Sequence, residues 1–257
     1  MFSVLNICGL KIASYGLVNL IAFTVGIVIA CLRAKKNGIS PEQEFLMLLH
    51  ALIGAIVGGK LLYLICSLGD IWNNKAIIFK DINHFTSYME GGFVFYGGLL
   101  GGLAAAFLYC HYYKKPPVKM IELSVPSIPL IHGIGRIGCF MAGCCYGIPV
   151  KSKISVVYTN SIAAPNGIPI FPIQLLEAGI NFTLFIILMI YSQKPHKPYK
   201  LLGLYLTFYS IERFFLEFLR GDSIRGVYWG ISSSQWISLI IILPLGIFLF
   251  TSSRLKN

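Results

Sequence analysis

Seven stretches of this chain are each about 20 residues long and mostly apolar, and that pattern limits its architecture more than any other feature. They run over residues 16–33, 45–66, 94–113, 120–141, 173–192, 201–220 and 234–251, the fourth interrupted by Pro126, Pro129 and several glycines. Lipid offers no hydrogen-bond partner, so a segment of this length crosses a bilayer as a helix that satisfies its own backbone. The composition agrees. Charged residues make up 12% of the chain and hydrophobic ones 56%, whereas a soluble domain carries about 25% charged residues. A surface this poor in charge needs lipid to cover it. The expected fold is an all-α integral membrane protein with about seven transmembrane helices. It forms one multi-pass domain over residues 1–257, with outer-face segments at about 67–93 and 142–172.

The net charge of +11 would suggest nucleic acid in a soluble protein. Here the basic residues fall in short clusters between apolar runs: residues 33–36, then Lys114, Lys115 and Lys119, then Lys194, Lys197 and Lys200, then Arg254 and Lys256. They recur at every second connection. That predicts a cytoplasmic C-terminus and an outside N-terminus, with the bilayer and not nucleic acid as partner. Trp72, Tyr146, Tyr158, Tyr228, Trp229 and Trp236 fall near the outer ends as a partial aromatic belt. Residues 1–14 lack a positively charged start, and no small-residue cleavage site follows the first run, so no cleavable signal peptide is expected. Glycines crowd Gly54/Gly58/Gly59 and Gly97/Gly98/Gly101/Gly102, as closely packed membrane helices require.

A charge at membrane depth costs at least about 2.5–3.5 kcal/mol, so it persists where it pairs, faces water or works. The residues in question are Lys60, Arg136, Glu177, Glu212, Arg213, Glu217 and Arg220. Arg213, Glu217 and Arg220, spaced by four and three, share one helical stripe, and Glu217 can pair with either arginine. One positive charge is then left over, and Arg136 adds another. Guanidinium forks suit phosphate, and the most abundant phosphate in a membrane is a lipid head group. An anionic-phospholipid pocket and plain interhelical ion pairing are equally compatible with the spacing. Gln174 and Glu177 share a face and can reach across to an arginine, and His132 precedes Arg136 by one turn. His50 reads as packing.

Of seven cysteines, Cys31 and Cys110 lie inside apolar runs as small hydrophobes. Cys139, Cys144 and Cys145 with His132 amount to four nitrogen and sulfur ligands, but without the C-x2-C pair usual for zinc. A disulfide, a reactive thiol and simple packing at a helix end stay open for them. Residues 148–170 carry no readable chemistry. Their glycines and prolines suit a small cap better than a long helix.

Five elements in order resemble the prolipoprotein diacylglyceryl transferase family over almost the whole chain. SYGL at 14–17 is similar to the family's tyrosine-glycine start of the first span. EGGFVFYGGLLGG at 90–102 resembles its acidic-glycine-glycine segment leading to an aromatic-His-Gly-Gly stretch. GRIGCFMAGCCYG at 135–147 resembles its Gly-Arg-x-Gly-Asn-Phe signature. FPIQLLE at 171–177 resembles its Pro-x-Gln-x-x-Glu element, and ERFFLEFLRGD at 212–222 its Arg-x-x-x-Glu-x-x-Arg stretch. The resemblance implies transfer of a diacylglyceryl group from phosphatidylglycerol to the lipobox cysteine of prolipoprotein signal peptides, in the bacterial inner membrane. Glycerol phosphate leaves, and no metal or organic cofactor is expected. It further implies that Arg136 and Arg213 grip the lipid phosphate, oriented by Glu177, Glu217 and Arg220, with Tyr15, Gly97, Gly98 and Cys139 lining the substrate site.

The chain departs from the family pattern at three positions. Tyr96 stands at the family histidine, Cys139 at the signature asparagine and Cys144 at its later acidic residue. Thiol activation then falls to Tyr96 or His132. The same arginines would also serve a transporter or flippase for an anionic lipid or solute, or a related transferase with another acceptor. The cysteine cluster would serve a membrane thiol oxidoreductase.

Overall fold

The computed structural model describes residues 4–7, 10–73, 81, 86, 94–221 and 227–252. Cys8, Glu90, most of the outer segment 67–93, Asp222, Arg254 and Lys256 lie outside the described residues, as do the side chains of Tyr96 and Tyr228. The chain is mostly helical. A short antiparallel hairpin, β1 (Val4–Ile7) and β2 (Leu10–Ala13), leads into α1 (Ser14–Lys36), followed by α2 (Pro41–Cys66), α3 (Leu68–Asn73) and α4 (Phe95–Tyr112). Then come α5 (Pro117–Ser124) and α6 (Ser127–Ala142), the two-residue strands β3 (Val156–Val157) and β4 (Pro169–Ile170), and α7 (Ile173–Tyr191). Next are α8 (Lys200–Leu216), a 3-10 turn (Glu217–Leu219) and the strands β5 (Val227–Tyr228) and β6 (Ile231–Ser232). The last segment is α9 (Ser233–Ile237), a π turn (Ser238–Ile242) and α10 (Leu243–Thr251).

Among the described residues, five helical segments are long and apolar enough to cross a membrane: 14–36, 41–66, 117–142 taken through its break, 173–191 and 234–251. The break between α5 and α6 falls at Val125–Pro126, where proline lacks the N–H that would continue the ladder. The π turn runs up to Leu243–Pro244 at the start of α10, for the same reason. Burial is inverted relative to a water-soluble protein. Leu20, Val28, Leu32, Ile186, Ile190 and Ile240 are exposed, while Gln174, Glu177, Asn181, Ser210, Glu212 and Arg213 are buried. In water such an apolar exterior would be unstable, and against lipid tails it is the expected surface.

The described chain divides into two compact units. Residues 34–120 form one. In it α2 and α4 meet through glycines: a Cβ on Gly58 would strike the Gly97 carbonyl oxygen, and one on Gly54 would strike that of Gly101. The expected close packing is therefore present, with Gly97 and Gly101 making the tightest approach and Gly102 facing Ala51 and Ala55. The Val94 N–H donates to Gly59 O at 3.1 Å, and His50 packs its ring on Tyr109 as the sequence suggested.

Residues 1–33 and 121–257 form the other unit. Gly26 lets α1 lie on Ile131 of α6, and Gly133 lets α6 lie on Phe182 of α7. At the foot of this unit Val125, Leu184, Leu188, Leu201 and Tyr205 make an apolar core. A second small core of Tyr158, Ala164 and Ile170, flanked by Phe140 and Tyr146, closes the 142–172 connection into a compact cap. The cap is tied to α6, because Ile162 N–H donates to Ala142 O at 2.9 Å and Ala164 N–H to Gly143 O at 2.8 Å.

Candidate active site

Most of the polar residues that lipid penalises gather in the unit of residues 1–33 and 121–257. His132 and Arg136, one turn apart on α6, face Glu177 on α7. Arg136 Nη2 lies 2.8 Å from Glu177 Oε1, and Arg136 Nε donates to His132 Nε2 at 3.2 Å. That same His132 nitrogen is 3.3 Å from Glu177 Oε1. A ring nitrogen either accepts from Arg136 or donates to Glu177, so the position of one proton on His132 selects between two arrangements.

A second group forms where α8 ends. The helix stops at Leu216, four residues short of the expected span, and tightens into the 3-10 turn. Arg213 Nη2 still reaches Glu217 Oε2 at 2.7 Å and Ser234 Oγ at 3.3 Å, and Arg220 Nε stands 4.0 Å from the same carboxylate oxygen. Arg220 has left the helix and pairs with Gly147 in an antiparallel bridge. Ile148 N–H donates to Leu219 O at 3.0 Å and Gly221 N–H to Tyr146 O at 2.9 Å, which ties the end of α8 to the segment after α6. That approach needs glycine twice, because a Cβ on Gly147 would strike Phe171 O and one on Gly221 would strike Gly147 O.

Asn181 links the helices. Its amide donates to Glu177 O at 2.9 Å and to Glu212 Oε1 at 2.7 Å. The other Glu212 oxygen is buried and has no hydrogen-bond partner among the described residues. Glu177 lies within electrostatic reach of Arg213 as well as Arg136, so the two groups form one cluster. The Tyr209 ring stands 6.0 Å from that of His132 and feels Arg213, Glu177 and Arg136. The cluster thus sets three guanidiniums (Arg136, Arg213, Arg220) against three carboxyl groups (Glu177, Glu212, Glu217). Glu177 takes up one of the two surplus positive charges read from the sequence, while Glu212 is held by the Asn181 amide and not by an arginine.

Next to the cluster, Arg136 Nη1 points at Cys139 Sγ from 3.9 Å. Tyr15, in the first turn of α1, packs beside Gly138 and within electrostatic reach of Cys139, Cys144 and Cys145. Gln174 does not turn to an arginine as expected. Its Nε2 donates to Cys144 O at 2.8 Å and to Tyr158 Oη at 3.4 Å, fastening the cap to α7. Burial pushes the Tyr158 phenol up to about 12, against a smaller opposite effect of the Gln174 donor.

The structure therefore brings together Arg136, His132, Glu177, Arg213, Glu217 and Arg220, with Cys139 and Tyr15 adjoining. Tyr96, Gly97 and Gly98 open α4 in the other unit, where Gly97 is spent on packing against Gly58. Sequence reasoning missed Asn181, Tyr209, Ser234 and Tyr158. Only Asn181 carried a usable signal, since it follows Glu177 by four residues on an otherwise apolar helix.

The sequence pattern described as prolipoprotein diacylglyceryl transferase matches residues 3–251. The chain belongs to the prolipoprotein diacylglyceryl transferase family. Among its relatives is the phosphatidylglycerol–prolipoprotein diacylglyceryl transferase of Clostridium tetani, 40% identical over 97% of this chain and 96% of the relative. The second such protein of Clostridium perfringens is 35% identical, covering 98% of this chain and 95% of the relative. That of Marinomonas sp. is 30% identical, covering 89% and 84%. In this member of the diacylglyceryl transferase family, the signature arginine, Arg136, is the one clamped between α6 and α7.

Proposed function

We propose that the chain transfers a diacylglyceryl group from phosphatidylglycerol to the lipobox cysteine thiol of prolipoprotein signal peptides, in the bacterial inner membrane. The observation that carries this reading is the buried Arg136–Glu177 and Arg213–Glu217 cluster, built from separate helices in a chain whose relatives bear that activity in their names. Seven helices cross the bilayer as a single domain in this reading, with the N-terminus outside and the C-terminus in the cytoplasm. The cluster and the 142–172 cap then lie toward the outer face.

In the reaction the acceptor sulfur attacks the glyceryl carbon that bears the phosphate ester. The carbon–oxygen bond breaks, its electron pair leaves with glycerol phosphate, and the thiol proton passes to a base. Arg136 and Arg213 hold the phosphate and stabilise the charge that grows on the leaving oxygen. Arg136 spends Nη2 on Glu177 and Nε on His132, so the donor capacity left to the Cys139 and Cys145 thiols is what most readily turns to a ligand oxygen. Glu177, Glu217 and Arg220 orient the two forks, and Tyr15 and Cys139 line the lipid site. The base is His132 or Tyr96. A thiol with an ordinary pKa of about 8.5 needs only modest help.

The deciding assay is incubation of purified protein in detergent with phosphatidylglycerol and a lipobox peptide. A peptide heavier by one diacylglyceryl group, with glycerol phosphate released, is the expected result. Movement of lipid across vesicles without any modified peptide would overturn transfer in favour of transport.

A further inference from the structure

Of the three cysteines after Arg136, Cys139 only lines the proposed lipid site and Cys144 and Cys145 have no part in the transfer reaction, yet the fold treats all three in a specific way. Cys139 is buried near the end of α6. The N–H groups of Gly143 and Cys144 both return to its carbonyl oxygen, at 2.9 and 3.1 Å. Gly143 then turns left-handed (φ 72°) and so does Cys145 (φ 51°), an uncommon conformation for a residue with a Cβ. Gln174 pins the chain between these two left-handed residues by donating to Cys144 O. The result is that the sulfurs of Cys139, Cys144 and Cys145 all lie within 4.8 Å of one another, and all three are free thiols.

We propose that Cys139, Cys144 and Cys145 form a three-thiolate site for a soft, thiophilic cation of the Cu(I) type. Three sulfurs bound at about 2.3 Å around one ion stand about 3.8–4.0 Å apart, so closing the site asks for a contraction of an ångström or less. Thiolate softness selects Cu(I), zinc or iron–sulfur chemistry over hard cations. Structural zinc takes four ligands, and among the described residues no histidine, cysteine or carboxylate joins the three thiols. His132, the fourth ligand suggested by the sequence, is engaged with Arg136 and Glu177. That favours a cation content with three sulfurs.

Binding breaks three S–H bonds, releases three protons to solvent and forms three S–Cu bonds, with copper arriving and remaining as Cu(I). The product carries two net negative charges. Arg136, whose Nη1 is 3.9 Å from Cys139 Sγ, and Arg220, within electrostatic reach of Cys145, stand ready to balance them. The lack of a C-x2-C spacing, which argues against a metal in the sequence, is overcome by the two left-handed residues that fold the segment back.

The test needs no lipid and no turnover. Full-length protein in detergent, reduced with a phosphine under inert gas, is titrated with Cu(I) in competition with a chromogenic Cu(I) chelator. One Cu(I) per chain is expected, with three sulfur neighbours in copper X-ray absorption. Cys139→Ser, Cys144→Ser and Cys145→Ser should each weaken binding about tenfold or more. In the unaltered protein, Cu(I) should shield Cys139, Cys144 and Cys145 from alkylation, read by peptide mass spectrometry, and leave Cys66 open. The proposal is overturned if the triple serine variant binds Cu(I) as well as the parent. Shielding that maps to other cysteines, or coordination by two sulfurs, overturns it equally.

Discussion

Glu177→Gln isolates the interaction on which the site rests. Glu177 is 3% exposed and its Oε1 stands 2.8 Å from Arg136 Nη2. At an effective dielectric of about 20, two unit charges at that separation attract by about 6 kcal/mol. Desolvation of both ions offsets part of this, and removing one partner of a buried pair typically costs about 3–5 kcal/mol. Glutamine keeps an acceptor for the guanidinium, which places the expected loss near the lower end, at about 3 kcal/mol. For a chain of this size that lowers Tm by roughly 6–12 °C. The same substitution leaves Arg136 without its nearest counter-charge, so an added phosphate should be worth more to the variant than to the parent. The assay is thermal unfolding in mixed micelles of matched acyl composition, with phosphatidylglycerol or with a phosphate-free diacyl glycolipid. Phosphatidylglycerol should restore several degrees to Glu177→Gln and less to the parent. A variant that melts like the parent would show that the pair carries no stability. A variant destabilised equally in both lipids would show that the lipid phosphate does not reach Arg136.

Other outcomes follow from the same geometry. Tyr96→Phe and His132→Ala, assayed separately for lipid transfer, should identify the base: the responsible one should slow turnover by about 100-fold or more, and full activity in both would exclude the two residues together. Tyr158 has its pKa raised to about 12 by burial, so the fold favours the neutral phenol. That contribution is complete below the ordinary value of about 10 and is lost as pH rises from there through about 12; alkaline unfolding should therefore shift upward in Tyr158→Phe, and an unchanged curve would refute it. Gly58→Ala drives a Cβ into the Gly97 carbonyl and should cost about 1–3 kcal/mol, read by denaturant unfolding, with no cost meaning that α2 and α4 separate freely. Asn181→Leu removes the amide donor of Glu212 Oε1 and should cost about 1–3 kcal/mol in the same measurement.

The helices were legible because apolar run length is a one-dimensional property. The 41–66 and 173–191 segments differ from their sequence boundaries by only a few residues at either end. The break at Pro126 was equally plain, since proline acts on its own backbone. The pairing of Arg213 with Glu217 was readable from a spacing of four. The end of α8 was not. Arg220 leaves the helix because residues 219–221 pair with 146–148, more than 70 positions earlier, and nothing local in EFLRGD announces that partner. The clamp of Arg136 by Glu177 is of the same kind, as is the meeting of Asn181 with Glu212 across two helices. In each case the residue type signalled that a partner must exist, because the lipid penalty demands one, and only the fold says which.

That distinction changes how the proposed anion site would work. The arginine stripe taken alone suggests a standing excess of positive charge waiting for phosphate. With Glu177 on Arg136 and Glu217 shared by Arg213 and Arg220, each guanidinium faces a carboxylate, and the surplus at membrane depth shrinks to one charge. In the proposed reaction a phosphate would enter by exchange, taking a guanidinium donor that a carboxylate, His132 or Cys139 now holds. Exchange keeps the number of hydrogen bonds to each arginine nearly constant, so the gain on binding the ground-state lipid is small. The same forks gain most where negative charge concentrates on the departing oxygen, because a carboxylate already present cannot follow that shift and a re-aimed guanidinium can. In the proposed reaction such a paired cluster would spend little on holding the lipid and more on the step that releases glycerol phosphate, which is the division of binding energy that favours turnover.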